Sequence, residues 1–273
     1  MDTIHRMHLI TNSIKDPGGE FAAEVLKFAA ESGVSVSTDE IRDDTQCVLV
    51  LGGDGTVLRA SALSTSRGIP ILGINLGTLG YLAEIDKREW KSALKRVFKG
   101  EYEVEERMLL EAHKEGGGAD YGSDMPALND VVFSRKGPLR IMSYDIFVGG
   151  EPLYSFKADG VIVSTPTGST AYNLSAGGPI VEPSARMILL TPICPHTLNS
   201  RPIVLSAEDV ISVRIGGDFR GGEPVAEAAI DGEREIPLCA GDIVNIRSSD
   251  KVAKLIRLGK RSFLETLHKK MTD

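Results

Sequence analysis

Cysteine is scarce in this chain, whose 273 residues include only Cys47, Cys194 and Cys239, all far apart. An odd and widely spaced set provides neither a disulfide framework nor a Cys-x-x-Cys metal pair, so free thiols in a reducing compartment are expected. Long apolar runs are also missing, because no stretch reaches the roughly 18 residues of a membrane span. The first residues lack the basic start and apolar stretch of a signal peptide. We therefore expect a cytoplasmic protein with no membrane partner.

An excess of positive charge is absent as well. The formal net charge is −7, which argues against nucleic acid or an acidic membrane surface as a partner. Any phosphorylated ligand would have to be bound by local donors rather than by a general positive field. The five histidines are scattered without metal-ligand spacing. No metal site built by the protein is therefore expected, and His196 is interpreted as a structural contact.

The first hundred residues alternate between strand and helix patterns. Short apolar runs at 8–11, 48–51 and 69–74 predict buried strands of a parallel sheet. Apolar residues at helical spacing follow two of them, and another helical face includes Trp90 and Leu94. This alternation predicts a Rossmann-like α/β domain over residues 1–105.

Beyond residue 105 the strand patterns are short and numerous, with few helical faces between them. They predict a β-rich domain over 106–249, in the form of a β-sandwich. The last segment, 250–273, ends in an amphipathic stretch and is expected to complete the first domain, with its helix packed back on that domain. The predicted fold class is therefore α/β plus all-β.

The sequence Gly-Gly-Asp-Gly-Thr at 52–56 follows a buried strand and begins a helical pattern. Glycines bring backbone amides close to a ligand, and a helix N-terminus attracts anions. Arg59, one turn later, could reach a phosphate. The alternative is a plain turn in which Asp54 caps the helix. The stretch is neither a Walker A loop nor a dinucleotide fingerprint, because the required Lys and third Gly are missing.

A second strand runs into glycines at Gly77 and Gly80. Ligands of open α/β sheets bind at the carboxyl edge of the strands, so this loop is expected beside the first. Tyr81 would then line the pocket wall, although a core position for this aromatic ring is an equally good interpretation.

Small polar residues crowd the segment 157–183, which begins with an apolar strand and continues as STPTGSTAYNLSAGGP. Such a density of hydroxyl groups cannot form a core, but it can form a surface for a polar ligand with several hydroxyls, such as a nucleotide. A disordered Ser/Thr linker is the alternative, and the flanking apolar strand argues against it.

Four stretches together resemble the NAD kinase family: GGDGT, LNDVV at 128–132, DGVIVSTPTGSTAYNLSAGGP and PHTLNSRPIV at 195–204. GGDGT alone is not specific, because diacylglycerol kinases, sphingosine kinases and 6-phosphofructokinases have related turns, but the Ser/Thr/Gly block separates the chain from those groups. The resemblance implies transfer of a phosphoryl group from ATP, or from polyphosphate, to the 2′-hydroxyl of the adenosine ribose of NAD. It also implies an α/β domain and a β-sandwich with the active site between them.

The resemblance assigns roles to individual positions. Asp54 matches the family's proton acceptor. Asp231-Gly232 matches a later contact, where Glu233 stands in place of a frequent Gln. The positions that match dinucleotide contacts are Gly55, Arg59, Asn129, Asp130, Arg140, Lys157, Asp159, Thr170, Ala171, Tyr172, Asn173, Leu174, Ser175 and Asp231.

Several phosphate groups would meet in a protein of net charge −7, so a divalent cation is expected, with Mg²⁺ held mainly by the donor's phosphates. The resemblance also implies a homodimer or homotetramer. Two alternatives remain open from the residues alone: a lipid or sugar kinase with the same turn, and a non-catalytic protein that senses NAD(H) or NADP(H).

Overall fold

The computed structural model describes residues 3–78, 80–116, 126–137, 141–197, 199–217, 224–259 and 263–272. The chain divides into two compact units. The first unit combines Met1–Glu106 with Ala253–Asp273, and the second unit is Arg107–Val252. None of the helices in the described ranges has the length and apolar character needed to cross a bilayer.

The first unit contains a parallel sheet with the strand order β2-β1-β3-β4-β16, and β5 pairs with β4. The last part of β16 belongs to this unit and pairs there through Leu255 and Ile71. The strands are β1 (Arg6–Thr11), β2 (Ser35–Ser37), β3 (Cys47–Gly52), β4 (Ile71–Asn75), β5 (Ile85–Asp86) and β16 (Ile243–Arg257).

Two of the helices pack on this sheet through an apolar face. Phe21, Val25 and Ala29 of the first helix are buried, as are Trp90 and Leu94 of the third. These side chains share one core with the inward residues of the strands. The helices are α1 (Glu20–Glu31), α2 (Asp54–Ser64), α3 (Trp90–Phe98) and α5 (Phe263–Thr272).

The second unit is built from antiparallel strands in two sheets. In one sheet β13 lies between β8 and β16, with β9 outside β8, and β6 pairs with β16. The other sheet has the order β12-β11-β10-β7-β14-β15. These strands are β6 (Glu103–Lys114), β7 (Asp130–Arg135), β8 (Met142–Val148), β9 (Glu151–Ala158), β10 (Gly160–Ser164), β11 (Met187–Ile193), β12 (Ile203–Ser206), β13 (Ile211–Gly216), β14 (Ala226–Ile230) and β15 (Arg234–Leu238).

Alternating side chains of the two sheets form a single core, which includes Phe133 and Tyr144. The hydroxyl-rich segment follows β10 and contains a 3-10 helix, Thr167–Thr170, and one short helical turn, α4 (Tyr172–Ser175). The predicted fold class, an α/β part and an all-β part, is confirmed.

Candidate active site

Asp54 is the first residue of α2, separated from the end of β3 by Gly53, and its carboxylate is held by three backbone amides. Tyr81 N–H donates to Oδ2 at 2.8 Å, and the amides of Leu82 and Ala83 donate to Oδ1 at 3.0 and 3.2 Å. The N-terminus of α2 has no side-chain cap. The interpretation of Asp54 as a helix cap is therefore wrong: the carboxylate joins the first glycine turn to the second.

Gly80 leaves the room that this arrangement needs. A Cβ atom at position 80 would lie 2.0 Å from Oδ1 of Asp54 and 2.5 Å from its Cγ. The rest of the loop is fixed by Asn75, whose Nδ2 donates to the Thr78 carbonyl at 2.7 Å and whose Oδ1 accepts from Gly77 N–H at 3.0 Å. Arg257 adds an ion pair to Glu84, with Nη1 3.3 Å from Oε2.

Tyr81 is in contact with the C-terminal helix. Its ring centroid lies 6.1 Å from that of Phe263 in α5, and Lys270 Nζ lies 4.3 Å from the Tyr81 centroid. Burial, and to a lesser degree the charge of Asp54, raise the pKa of the Tyr81 hydroxyl. Tyr81 is only half-buried, so it lies at the rim of the second glycine loop rather than inside the core.

Two further predicted residues of α2, Gly55 and Arg59, are exposed. Gly55 has no atom within 4 Å of the position that a Cβ would take, so the space above it is open. Arg59 lies one turn further along the same helix. In both cases the residue is accessible to a ligand at the start of α2.

Sequence reasoning missed two residues of the loop after β1, Asn12 and Lys15. Asn12 Oδ1 accepts from the amides of Ile14 and Lys15 at 3.0 and 3.2 Å, and its Nδ2 donates to Thr56 Oγ1 at 3.3 Å. The ammonium of Lys15 lies against Gly53 and Gly77, where an added Cβ would be 2.7 and 2.9 Å from Nζ. Both residues follow a predicted parallel strand, and ligands bind at the edge of the sheet where such strands end. This position was the feature of the sequence that could have identified them.

In the second unit, Asp231 ties together the Leu-Asn-Asp segment. Its carboxylate accepts from the amides of Leu128, Asn129 and Asp130 at 2.8, 2.7 and 3.2 Å. Asp231 has a positive φ of 50°. The three predicted residues Asn129, Asp130 and Asp231 are thus brought together in one place.

Two carboxyl groups are buried side by side here. Burial, reinforced by the charge of Asp231, raises the pKa of Asp130 to about 7. Burial also raises the pKa of Asp231, although its three amide hydrogen bonds oppose that shift. A proton therefore resides on Asp130 over part of the range near neutral pH, where this group is able to donate a hydrogen bond.

The hydroxyl-rich segment is ordered by contacts on its inner side. Thr165 Oγ1 donates to the Leu128 carbonyl at 2.6 Å and accepts from Gly168 N–H at 3.1 Å. The buried Arg107 donates from Nη1 to Thr167 Oγ1 at 3.2 Å. The alternative of a disordered Ser/Thr linker is therefore wrong. These hydroxyls form the hydrogen bonds with backbone groups that regular secondary structure would otherwise provide.

The outer side of this segment faces solvent. Tyr172 is 46% exposed and Leu174 is 41% exposed, Ser175 is also exposed, and Thr170 and Ala171 are half-buried. Asn173 differs because it is fully buried. Its Nδ2 donates to the carbonyls of Ser169 and Pro179, and its Oδ1 accepts from Thr191 at 2.6 Å, so its amide supports the segment from within.

Lys157 and Asp159 lie near the passage from β9 to β10. Lys157 is exposed at the end of β9, and its carbonyl accepts from the backbone amide of His196 at 2.8 Å. Asp159 lies 3.4 Å from Arg135 through Oδ1 and Nε. Arg140, the remaining predicted residue, lies outside the described residues.

In the part of the chain that the structure describes, no three His, Cys, Asp or Glu side chains come together to hold a metal ion. Three of the lone-pair positions of Asp54 accept amide hydrogen bonds, and Asp231 is engaged in the same way. These carboxylates do not form an oxygen cage for Mg²⁺.

Comparison with protein families finds two matches that together cover most of the chain. Residues 20–102 match the ATP-NAD kinase N-terminal domain, and residues 128–258 match the ATP-NAD kinase C-terminal domain.

Curated relatives match over nearly the whole length. The NAD kinase of Lachnospira eligens is 39% identical over 291 residues, which cover 97% of this chain and 99% of the relative. The NAD kinase of Lachnoclostridium phytofermentans is 41% identical over 280 residues, covering 97% and 98% of the two chains.

Solved structures show the same fold. A yeast NADH kinase complexed with NADH superposes with a TM-score of 0.83 at 25% identity, covering 100% of this chain and 89% of the other. An NAD kinase from Archaeoglobus fulgidus in complex with ATP gives a TM-score of 0.80 at 26% identity, covering 96% and 98%.

Proposed function

The chain belongs to the ATP-NAD kinase family, and on this premise we propose that Asp54 is the proton acceptor of its reaction. The enzyme is a phosphotransferase that acts on NAD. The oxygen at the 2′ position of the adenosine ribose forms a bond to the γ-phosphorus of ATP. The bond between that phosphorus and the β–γ bridging oxygen breaks, and ADP leaves with the electron pair. The hydroxyl proton passes to Asp54.

One observation supports this role above all: the carboxylate of Asp54 is oriented but not saturated. A carboxylate has about four acceptor positions, and the amides at 81–83 occupy three of them. Oδ2 accepts only one amide, so it keeps a lone pair for a ribose hydroxyl. A base of this kind contributes about 10²–10⁴ in rate, or roughly 3–5 kcal/mol of the barrier.

Phosphate binding follows from the same turn. The first amides of α2 have no partner within the helix, and its positive end favours anions. Open space above Gly55 lets a phosphate approach the backbone. Most of the remaining catalysis in phosphoryl transfer is positioning and charge neutralisation, which these donors supply.

A divalent cation, with Mg²⁺ expected, is proposed to enter as part of the donor. The described carboxylates offer no cage for a resident ion, whereas the phosphates of ATP are its natural ligands. In this proposal the second substrate, beside NAD, is MgATP.

For the second unit we propose that the exposed side of the hydroxyl-rich segment and the Asn129–Asp130–Asp231 group bind the dinucleotide. The aromatic face of Tyr172 is accessible for stacking, and the neighbouring hydroxyls can bond to sugar oxygens. Lys157 and Asp159 are proposed as further contacts. A cytoplasmic location remains a prediction from the sequence composition, and assembly into two or four copies remains a prediction from the family resemblance. Light scattering would measure the assembly.

The test is an assay of NADP formation from NAD and MgATP, coupled to an NADP-specific dehydrogenase. The parent chain should turn over, which separates an enzyme from a protein that only senses the dinucleotide. Asp54→Asn should lower kcat at least ~100-fold while the KM for NAD stays within a few-fold. Near-parental turnover in this variant would remove Asp54 from the mechanism.

Asparagine keeps one oxygen for two of the amides and turns an NH₂ group toward the third, at Tyr81. Exchange is expected to rise at the Tyr81 amide, and hydrogen exchange at the Leu82 and Ala83 amides, which keep their acceptor, serves as the control. A variant that has lost kcat while Leu82 and Ala83 remain protected has lost its base rather than its loop.

A further inference from the structure

A lysine side chain lies where the two glycine turns of the first unit meet. Lys15 comes from the loop that follows β1. A Cβ atom added at Gly53 would lie 2.7 Å from its Nζ, and one added at Gly77 would lie 2.9 Å from the same atom. The ammonium group therefore lies directly against the backbone of both turns.

The loop that carries Lys15 is fixed to the start of α2. Asn12 N–H donates to the Leu51 carbonyl at 3.0 Å, and Asn12 Oδ1 accepts from the Lys15 amide at 3.2 Å. Asn12 Nδ2 reaches Thr56 Oγ1 in the first turn of α2 at 3.3 Å. The backbone of Lys15 is thus held relative to the turn that its side chain covers.

The neighbouring carboxylates are engaged elsewhere. Asp16 accepts from the amides of Phe21 and Ala22 at 3.2 and 2.9 Å. The carboxylate of Asp54 accepts from the amides at 81–83. Across the described ranges, Lys15 has no ion pair. Its positive charge is therefore available to a ligand at the N-terminus of α2.

We propose that Lys15 binds the phosphates of the donor ATP and so belongs to the substrate-binding residues of this enzyme. The proposal rests on the proposed function, in which Asp54 receives the proton of the acceptor hydroxyl. The γ-phosphoryl group must lie in line with that hydroxyl, so the phosphates closest to the Gly53 turn are those of the donor. A lysine ammonium is a compact cation with three donors, which suits a phosphate chain approached from the side of two glycine turns.

Steady-state kinetics of Lys15→Met in the full chain test the proposal. With NAD saturating, the KM for MgATP should rise about 10- to 100-fold, equivalent to about 1.4–2.8 kcal/mol. With ATP saturating, the KM for NAD should stay within about twofold of the parental value, because a loss of affinity for ATP alone does not change the affinity for NAD. Lys15→Arg should recover most of the donor affinity, since it restores the charge.

A second measurement needs no turnover. Calorimetry without NAD should show weaker binding of MgATP to Lys15→Met and unchanged binding of adenosine, which has no phosphates. Lys27→Met is the matched control, because Lys27 is an exposed lysine on α1 of the same unit. That variant should keep the parental KM values and affinities.

An unchanged KM for ATP in Lys15→Met would overturn the proposal. Equal increases in both KM values, together with a lowered Tm, would also overturn it, since they indicate a structural role. The role of Lys15 and the role of Asp54 are tested independently. Full turnover of Asp54→Asn would refute the role of Asp54 as proton acceptor, whereas calorimetry measures whether ATP binding depends on Lys15.

Discussion

Replacing Gly80 with alanine should disable the site although the carboxyl group of Asp54 stays in the chain. The added Cβ would lie 2.0 Å from Oδ1, 2.5 Å from Cγ and 2.7 Å from Oδ2 of Asp54. Contacts this short do not occur between real atoms, so the carboxylate or the loop must move by about an ångström or more. Gly80 has no positive φ, so the effect comes from the contact with Asp54 and not from backbone strain.

The magnitude follows from the three amide bonds that the displaced carboxylate would lose. A hydrogen bond to a charged group contributes about 1.5–3 kcal/mol. Asp54 is only half-buried, so water will replace part of that loss. We expect the free energy of unfolding to fall by about 2–4 kcal/mol. A misplacement of about 1 Å at a reacting centre costs about 10²-fold in rate, so kcat should fall at least that much.

Urea unfolding, the coupled NADP assay and hydrogen exchange at residues 81–83 measure these effects. Gly18→Ala is the control, because the nearest atom to its added Cβ is Cγ of Glu20 at an ordinary 3.4 Å. That variant should stay within about 0.5 kcal/mol of the parent and keep its turnover. Parental kcat in Gly80→Ala, with the three amides still protected, would refute the reasoning.

Two further predictions concern the second unit. Burial and the charge of Asp231 raise the pKa of Asp130 to about 7, so ionisation of Asp130 destabilises the folded state increasingly as the pH rises from about 4 through 7. Asp130→Asn should therefore gain stability relative to the parent by up to roughly 4 kcal/mol between pH 4 and pH 8, and a pH-independent difference in urea unfolding would contradict this. Tyr172→Ala should weaken NAD binding by about 1–3 kcal/mol with an unchanged Tm, and an unchanged calorimetric Kd for NAD would contradict this. Asn173→Ala should instead lower the Tm, because the buried Asn173 amide makes hydrogen bonds to three groups.

Strands with a continuous apolar run could be predicted closely from the sequence. The run at 48–51 corresponds to β3, Cys47–Gly52. The apolar strand predicted at 160–164, before the hydroxyl-rich stretch, corresponds to β10, Gly160–Ser164. Burial on both faces gives such strands a pattern that no surface segment shares.

The long strand β16 could not be predicted in full. The apolar pattern predicts a strand at 242–246, whereas β16 runs from Ile243 to Arg257 and includes the polar residues 248–251. Polar residues are not typical of strands, but pairing with neighbouring strands outweighs local propensity.

Some residues of the candidate site could be predicted from the sequence and others could not. Asp54, Asp130 and Asp231 could be proposed because they stand in stretches that resemble one family. Lys15 and Asn75 have no such local pattern. They reach the site because parallel strands bring the ends of β1, β3 and β4 to one edge of the sheet, which is a property of topology rather than of any single segment. The hydrogen bonds that orient the Asp54 carboxylate come from a loop 27 to 29 residues further along the chain, so they could not be predicted from the GGDGT stretch alone.

The chain leaves the first unit at Glu106 and returns to it at Ala253. On a ribosome, the second unit is therefore synthesised without interruption, while the first unit waits for its last strand. Before Leu255 has emerged, Ile71 of β4 pairs only with Val48 of β3, and the side of β4 that later pairs with Leu255 remains open. An unpaired strand edge invites association with other chains. The nascent protein thus completes its amino-terminal half last, the reverse of the usual order of domain folding during translation.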